Sequence, residues 1–184
     1  MPERDFDEPS WRERLARYRA EKDEFLAEHP QSPIPPDDRA SFDGLDYYPL
    51  DPHYRVVARI QPAASAETVE LETTAGPARE YERVATLGFT LDDEHQVLAA
   101  FAEPTQGGLF VPFTDPTNGS GTYSRGRYLE LDVDVESLQA NGDVVVDFNT
   151  AYSPFCAYDD GFACVVPPAK NDVSVPIEAG ERVP

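Results

Sequence analysis

The chain has 184 residues, of which 40% are hydrophobic and 11% aromatic, enough for a folded core, so we predict one domain over residues 1–184. Its 35 acidic and 15 basic residues leave a net charge of −20, which disfavours nucleic acid as a partner because binding to phosphates needs a basic surface. No run approaches the roughly 18 apolar residues of a membrane span and the first residues do not resemble a signal peptide, so we expect no membrane partner and a cytoplasmic location.

The acidic excess also predicts adaptation to concentrated salt. Only Lys22 and Lys170 are lysines, and the remaining basic residues are arginines. Repulsion among the carboxylates becomes tolerable when molar salt shortens the Debye length to roughly 3 Å. We therefore expect a halophilic protein in which most single Asp and Glu residues form a solvated surface.

An N-terminal helix is predicted within residues 1–30. Ser10 and Glu13 form a capping box, and Pro30 ends the pattern. Side chains at helical spacing form one stripe, which comprises Trp11, Leu15, Tyr18, Lys22 and Phe25. Such a stripe is typical of a core-facing helix, and the alternative is a helix that binds a partner. Residues 31–52 follow as a proline-rich connector that is neither regular helix nor central strand.

Residues 53–184 are predicted to form a β domain. Apolar and polar side chains alternate over residues 54–60, 69–72 and 129–136, and further runs at 81–89, 97–102, 109–113 and 144–149 bring the expected number of strands to seven or eight. Turn signals separate the runs and no long helix lies between them, which favours antiparallel pairing. The predicted fold class is α+β, with a mainly antiparallel β-sheet, as a sandwich or small barrel, and one N-terminal helix.

A glycine-rich loop after the run 109–113 holds three candidate site residues, Asp115, Tyr123 and Arg127. One interpretation is structural, because a wide hairpin needs Gly and Asn where φ is positive. The other is a ligand site in which backbone N–H groups, Tyr123 and Arg127 bind a carboxylate or phosphate. The loop matches neither a Walker nor a Rossmann motif, and it lacks the closing Glu of a calcium loop.

The run 144–149 contributes Asp147 and Asn149, which interrupt an otherwise apolar strand, and Tyr152 follows it. A buried carboxylate needs a partner, and we predict that Arg127 is the partner of Asp147. This pair is either a structural ion pair or, with Asn149 and Tyr152, part of a polar ligand site.

Two cysteines, Cys156 and Cys164, flank the sequence AYDDGFA. A hairpin with a loop over residues 159–161 would place them opposite each other. A reduced thiol pair, a disulfide and a metal or redox site all remain open at this point. No metal site is predicted, because His29, His53 and His95 are scattered and supply no recognisable set of further ligands.

Three segments together form an ordered and specific pattern: TDPTNGSGTYSRGRYLEL, DFNTAYSPFCAYDDGFAC and PPAKNDVSVPIEAGE. With SPIP and FDGLDYYPLD upstream, they resemble the family Domain of Unknown Function 1684 over nearly the whole chain. Family members typically have a proline just after the second cysteine, where this chain has Val165. The resemblance implies a shared fold and a shared polar cluster in a haloarchaeal-type member, and it implies no activity.

Three classes of function follow from these residues. The leading hypothesis is a domain that binds a small polar or anionic ligand with Asp115, Tyr123, Arg127, Asp147, Asn149 and Tyr152. The second is an enzyme that uses the same cluster, with Asp147, Tyr123 or a cysteine as the reactive group. The third is a structural or adaptor module in which the cluster is an internal polar network. The pattern specifies no cofactor and no oligomeric state.

Overall fold

The computed structural model describes residues 6–102, 107–135 and 142–184. It shows one long N-terminal helix, α1 (Glu8–Glu28), a short helix α2 (Pro36–Arg39), and a single antiparallel sheet that curls into a half-barrel. Its six strands are β1 (Arg55–Leu71), β2 (Arg79–Leu91), β3 (Glu94–Ala102), β4 (Leu109–Phe113), β5 (Arg127–Leu131) and β6 (Gly142–Asp147). They lie in the order β5-β4-β3-β2-β1-β6, and the predicted α+β class is confirmed.

Helix α1 begins slightly earlier than the sequence pattern predicted. Asp7, rather than Ser10, is the N-cap, and its carboxylate accepts a 2.6 Å hydrogen bond from the Ser10 hydroxyl. Asp7 has the extended backbone that a cap requires, whereas Ser10 is already helical. Trp11 and Leu15 are buried, but Tyr18 is 44% exposed, so the inward face is narrower than predicted. No helix among the described residues combines the length and apolar character needed to cross a membrane.

Strand β1 is one continuous strand of 17 residues, where the sequence predicted two separate runs. The reason is a register shift against β2: Pro62 pairs with Ala85, and the next pair joins Glu67 to Arg83. Such a bulge breaks the alternation of inward and outward side chains without ending the strand. The described residues therefore hold six strands rather than the predicted seven or eight.

The sheet buries side chains on both of its faces. The larger core lies on one face and includes Leu87, Leu98, Val111 and Phe148. A smaller cluster on the other face contains Leu71, Phe101, Phe110, Tyr128 and Val165. All five residues of β4 are buried, which explains why its sequence is apolar without alternation.

The larger core is closed by residues 171–181, which alternate buried and exposed side chains although they form no strand of the sheet. The Asn171 side chain fixes the beginning of this segment. Its Nδ2 donates to the carbonyl oxygens of Ala99 and Pro112, and its Oδ1 accepts from the Ala99 N–H at 2.8 Å. One buried amide thus ties the segment to both β3 and β4.

Candidate functional site

Arg127 and Asp115, two of the predicted site residues, form an ion pair that is closed to solvent. Arg127 Nη2 lies 3.3 Å from Asp115 Oδ1, and both side chains have zero exposed area. Gly126 allows this approach, because its φ is +98° and a Cβ there would lie 2.5 Å from the Phe113 carbonyl oxygen. Burial lowers the pKa of Arg127, and the charge of Asp115 acts in the opposite direction.

The Arg127 guanidinium also donates to three main-chain carbonyls of the segment that closes the core. Its partners are Ile177 at 2.8 Å, Glu181 at 3.2 Å and Ala179. The Asp115 carboxylate in turn accepts from the Ile177 N–H at 2.8 Å. The pair therefore fastens the chain near residues 177–181 to the sheet, and a ligand has no route to it.

The glycine-rich loop satisfies its own polar groups. Asp115 accepts from both the N–H and the hydroxyl of Thr117, at 3.1 and 3.0 Å. The Thr122 hydroxyl lies 2.9 Å from the Thr117 hydroxyl and accepts from Asn118 Nδ2, also at 2.9 Å. These internal bonds agree with the structural interpretation of the loop as a turn.

Asp147 and Asn149 connect helix α1 to the sheet. Asp147 Oδ2 accepts a 2.7 Å hydrogen bond from Trp11 Nε1, and its Oδ1 accepts from the N–H and the side chain of Asn149. Asn149 also donates to the Asp51 carbonyl oxygen and accepts from the Asp51 N–H. The predicted pair between Arg127 and Asp147 is therefore wrong, because each residue has other partners.

The two cysteines lie side by side as free thiols. The Cys156 N–H donates to Cys164 Sγ at 3.3 Å, and the Tyr123 hydroxyl lies 3.3 Å from Cys156 Sγ. The predicted hairpin does not form, because residues 155–157 make a 3₁₀ turn and Val165 forms a bridge with Thr73 beyond the end of β1. Burial raises the pKa of the Cys164 thiol to about 11.

An open cleft of about 410 Å³ lies over the smaller core cluster, and we call it the aromatic cleft. Six rings line it: Tyr81, Phe110, Tyr128, Tyr152, Phe155 and Phe162. The first three come from β2, β4 and β5. Every second side chain of a strand points to the same face of the sheet, so these three rings lie together. The other three come from the loops that follow β6.

Three pairs of neighbouring rings in the cleft meet at steep angles, whereas Tyr81 and Phe110 are tilted by only 30°. Phe110 and Tyr128 have centroids 4.9 Å apart with an interplanar angle of 83°, and Tyr128 and Tyr152 lie 5.7 Å apart at 87°. Phe155 and Phe162 meet at 5.4 Å and 77°, and both remain more than a third exposed. Perpendicular rings present a ring face and a ring edge to the same small volume.

Opposite charges occupy the margins of the aromatic cleft. Arg79, at the start of β2, donates to the Ala163 carbonyl oxygen at 3.0 Å. Glu130, on β5, accepts a 2.6 Å hydrogen bond from the Tyr152 hydroxyl. Burial and the Glu130 charge raise the pKa of Tyr152, so this hydroxyl keeps its proton at neutral pH. Behind it, Lys22 Nζ lies 4.8 Å from the Tyr152 ring centroid.

The structure joins the predicted site residues in pairs, Asp115 with Arg127 and Asp147 with Asn149, and does not bring all six into one site. Tyr152 and Cys164 line the aromatic cleft, whereas Asp115, Arg127, Asp147 and Asn149 hold the chain together elsewhere. Sequence reasoning missed Glu130 and five of the six rings. The sequence did contain one indication of the cleft. Tyr128 and Glu130 are two residues apart in one strand, so their side chains lie on the same face of the sheet, opposite Leu129.

A larger cavity of about 470 Å³ lies between the connector and Tyr158. Its charged lining groups are the three carboxylates of Asp38, Asp43 and Asp46. The described part of the chain contains no group of three or more His, Cys, Asp or Glu side chains placed to hold a metal ion. The charged side chains that line this cavity are all acidic, whereas the aromatic cleft combines rings with side chains of both charges.

The fold and the cleft together define an α+β protein with a half-barrel sheet and a ring-lined surface site. The chain belongs to the family described as "Protein of unknown function (DUF1684)", whose model matches residues 40–182. A comparison with curated proteins finds no match.

One solved structure is similar along almost the entire chain. It is the solution NMR structure of an uncharacterised protein of Haloarcula marismortui, with 46% sequence identity and a TM-score of 0.74. The match covers 95% of this chain and 95% of that one. The similarity supports the haloarchaeal-type membership that the sequence resemblance implied.

Proposed function

We propose that this protein binds a small organic molecule in the aromatic cleft. The observation that carries the proposal is the pair of exposed rings at its mouth: Phe155 is 38% exposed and Phe162 is 37% exposed, directly over four further rings. Exposed aromatic side chains that adjoin a concave, ring-lined surface are typical of ligand sites. The volume of about 410 Å³ suits a ligand of metabolite size.

The protonation states of the lining groups favour binding over catalysis. The Cys164 thiol, with its pKa of about 11, is protonated at neutral pH, and burial raises the pKa of Tyr128 as well as that of Tyr152. These groups therefore donate hydrogen bonds and do not act as nucleophiles or general bases. Among the ligand-binding residues predicted from the sequence, Tyr152 keeps that role in this proposal.

We further propose that binding takes place in a salt-rich cytoplasm. The support for this setting is the net charge of −20, together with the similarity to a protein from a halophilic archaeon. At molar ionic strength, contacts with aromatic rings persist, whereas long-range repulsion between surface carboxylates is largely screened.

The binding proposal is tested by NMR with phenol and indole as neutral aromatic probes. We expect backbone amide shifts that saturate with probe concentration and map to the cleft around Tyr128, Phe155 and Phe162. Phe155→Ala and Phe162→Ala should each weaken probe binding several-fold. The matched control is Val97→Ala, which removes an exposed apolar side chain on β3 away from the cleft. Shifts that map elsewhere, or binding unchanged in both Phe variants, would exclude the cleft as the site.

A further inference from the structure

We propose that the ligand of the aromatic cleft is a small zwitterion, with a methylated ammonium group held by the rings and Glu130 and a carboxylate held by Arg79. This inference rests on the proposed function and specifies the chemical class of its ligand. It follows from two features: the rings that meet at steep angles and the opposite charges at the two margins.

The end of the cleft near Glu130 has the chemistry of a cation site. Tyr128 and Tyr152 stand at 87° with centroids 5.7 Å apart, and the Glu130 carboxylate is bonded to the Tyr152 hydroxyl. Aromatic rings that meet at an angle bind quaternary ammonium groups through the negative potential of their faces. The Tyr152 ring already contacts one ammonium of the chain, since Lys22 Nζ, which pairs with Glu181, lies 4.8 Å from its centroid. Methyl groups on the ligand cation would pack against ring faces, and its charge would face Glu130.

The opposite margin has the chemistry of a carboxylate site. Arg79 is exposed, and its bond to the Ala163 carbonyl uses one of the five N–H donors of a guanidinium. The two parallel donors of such a group match a carboxylate. Arg79 and Glu130 lie on β2 and β5, which are separated by β3 and β4, and the strand register displaces Arg79 by four residues from the position level with Glu130. The charges therefore face the ligand from different sides.

The charge pattern selects a zwitterion over a simple ion. Glu130 disfavours a bare anion in the cleft, and Arg79 disfavours a bare cation there. A molecule that carries both charges pairs each of them with the opposite charge and adds nothing to the total.

The test compares three probes by NMR titration at one fixed KCl concentration. Trimethylglycine has both charges, 3,3-dimethylbutanoate has the same shape without the positive charge, and choline lacks the carboxylate. We expect trimethylglycine to bind at least tenfold more tightly than either of the other two, with amide shifts around Tyr152 and Arg79. Equal affinity for trimethylglycine and 3,3-dimethylbutanoate would overturn the inference.

Two variants test the two margins separately. Glu130→Gln should weaken trimethylglycine binding about tenfold and phenol binding by a much smaller factor, and Arg79→Gln should have the same selective effect. Glu13→Gln, which neutralises an exposed carboxylate on the outer side of α1, is the control and should bind like the parent protein. If phenol or indole shifts the cleft resonances and trimethylglycine does not, the zwitterion inference fails and the binding site stands. If neither the aromatic probes nor trimethylglycine bind there, both proposals fail.

Discussion

Arg127 and Asp115 form an ion pair 3.3 Å apart from which solvent is completely excluded. Withdrawing two charges from water costs several kcal/mol for each ion, and the hydrogen bonds around the pair must offset that cost. Here the guanidinium has three carbonyl acceptors and the carboxylate has three further donor groups on Thr117 and Ile177. The pair is a structural element of the fold.

Removing either member of the pair should destabilise the protein strongly. Arg127→Met and Asp115→Asn should each lower the free energy of unfolding by about 3 kcal/mol or more, because the remaining partner is left buried without its counterpart. The double variant should lose less than the sum, by on the order of 1 kcal/mol or more, since the two side chains touch. Urea titration at high salt measures the free energy of unfolding of the parent protein, the two single variants and the double variant, which together form a double-mutant cycle.

Two control measurements test whether the coupling is specific to Arg127 and Asp115. Arg125→Met removes an exposed arginine two positions away and should change stability by less than about 0.5 kcal/mol. Asp147→Asn combined with Arg127→Met should give additive losses, because these residues have no common partner. Coupling between Arg127 and Asp147 larger than that between Arg127 and Asp115 would contradict the assignment.

The contact of Trp11 with Asp147 should control the docking of α1. Asp147→Asn weakens a charge-assisted hydrogen bond of 2.7 Å, so we expect a loss of about 1 to 2 kcal/mol and stronger acrylamide quenching of the fluorescence. Trp11 is the one tryptophan of the chain, which makes its emission a direct probe of this helix. Asp143→Asn, at an exposed site on the same strand, should leave quenching unchanged.

The reactivity of Cys164 should depend on pH in a predictable direction. A pKa raised to about 11 means that the thiolate is scarce at pH 7.5 and increases as the pH rises toward 11. A Cys156→Ala variant keeps the burial of Cys164 but removes the contribution of the Cys156 thiol, so its rate of Cys164 alkylation by iodoacetamide should still rise from pH 8 to 9.5. A rate that levels off near pH 8.5, the ordinary value for a thiol, would contradict the effect of burial.

The melting temperature should rise with salt. Between 0.1 M and 3 M KCl, screening relieves the repulsion that accompanies a net charge of −20, and the exposed carboxylates outnumber the available basic side chains. Calorimetry over this range should give a monotonic increase. A flat or falling curve would contradict the proposed halophilic setting.

Individual helices and strands could be predicted from the sequence, because their formation depends on residues that are close together along the chain. The helical spacing of Trp11 and Leu15 predicted α1, and alternation over residues 129–136 predicted a strand, of which residues 129–131 lie in β5 and residues 132–135 do not. The bulge in β1 could not be predicted from alternation, since its pairing with β2 is what keeps the strand continuous across Pro62.

The candidate site was predictable only in part, for a related reason. Arg127 was predicted to be a ligand-binding candidate and the partner of Asp147, yet three of its partners are the main-chain carbonyls of Ile177, Ala179 and Glu181. Every residue carries a carbonyl, so composition and spacing contain no sign of which ones are used. The aromatic cleft likewise depends on the order of strands in the sheet, which brings Phe110 and Tyr128 together across β4 and β5.

The distance along the chain between Arg127 and its carbonyl acceptors has a consequence for biosynthesis. Fifty residues separate Arg127 from Ile177, so the ribosome synthesises the guanidinium long before the groups that solvate it in the folded state. A nascent chain whose residues up to about 170 have left the exit tunnel therefore has all six described strands but an arginine that cannot leave water. We expect such chains to remain sensitive to protease, and chains extended beyond the exit tunnel past residue 181 to become resistant in a single step.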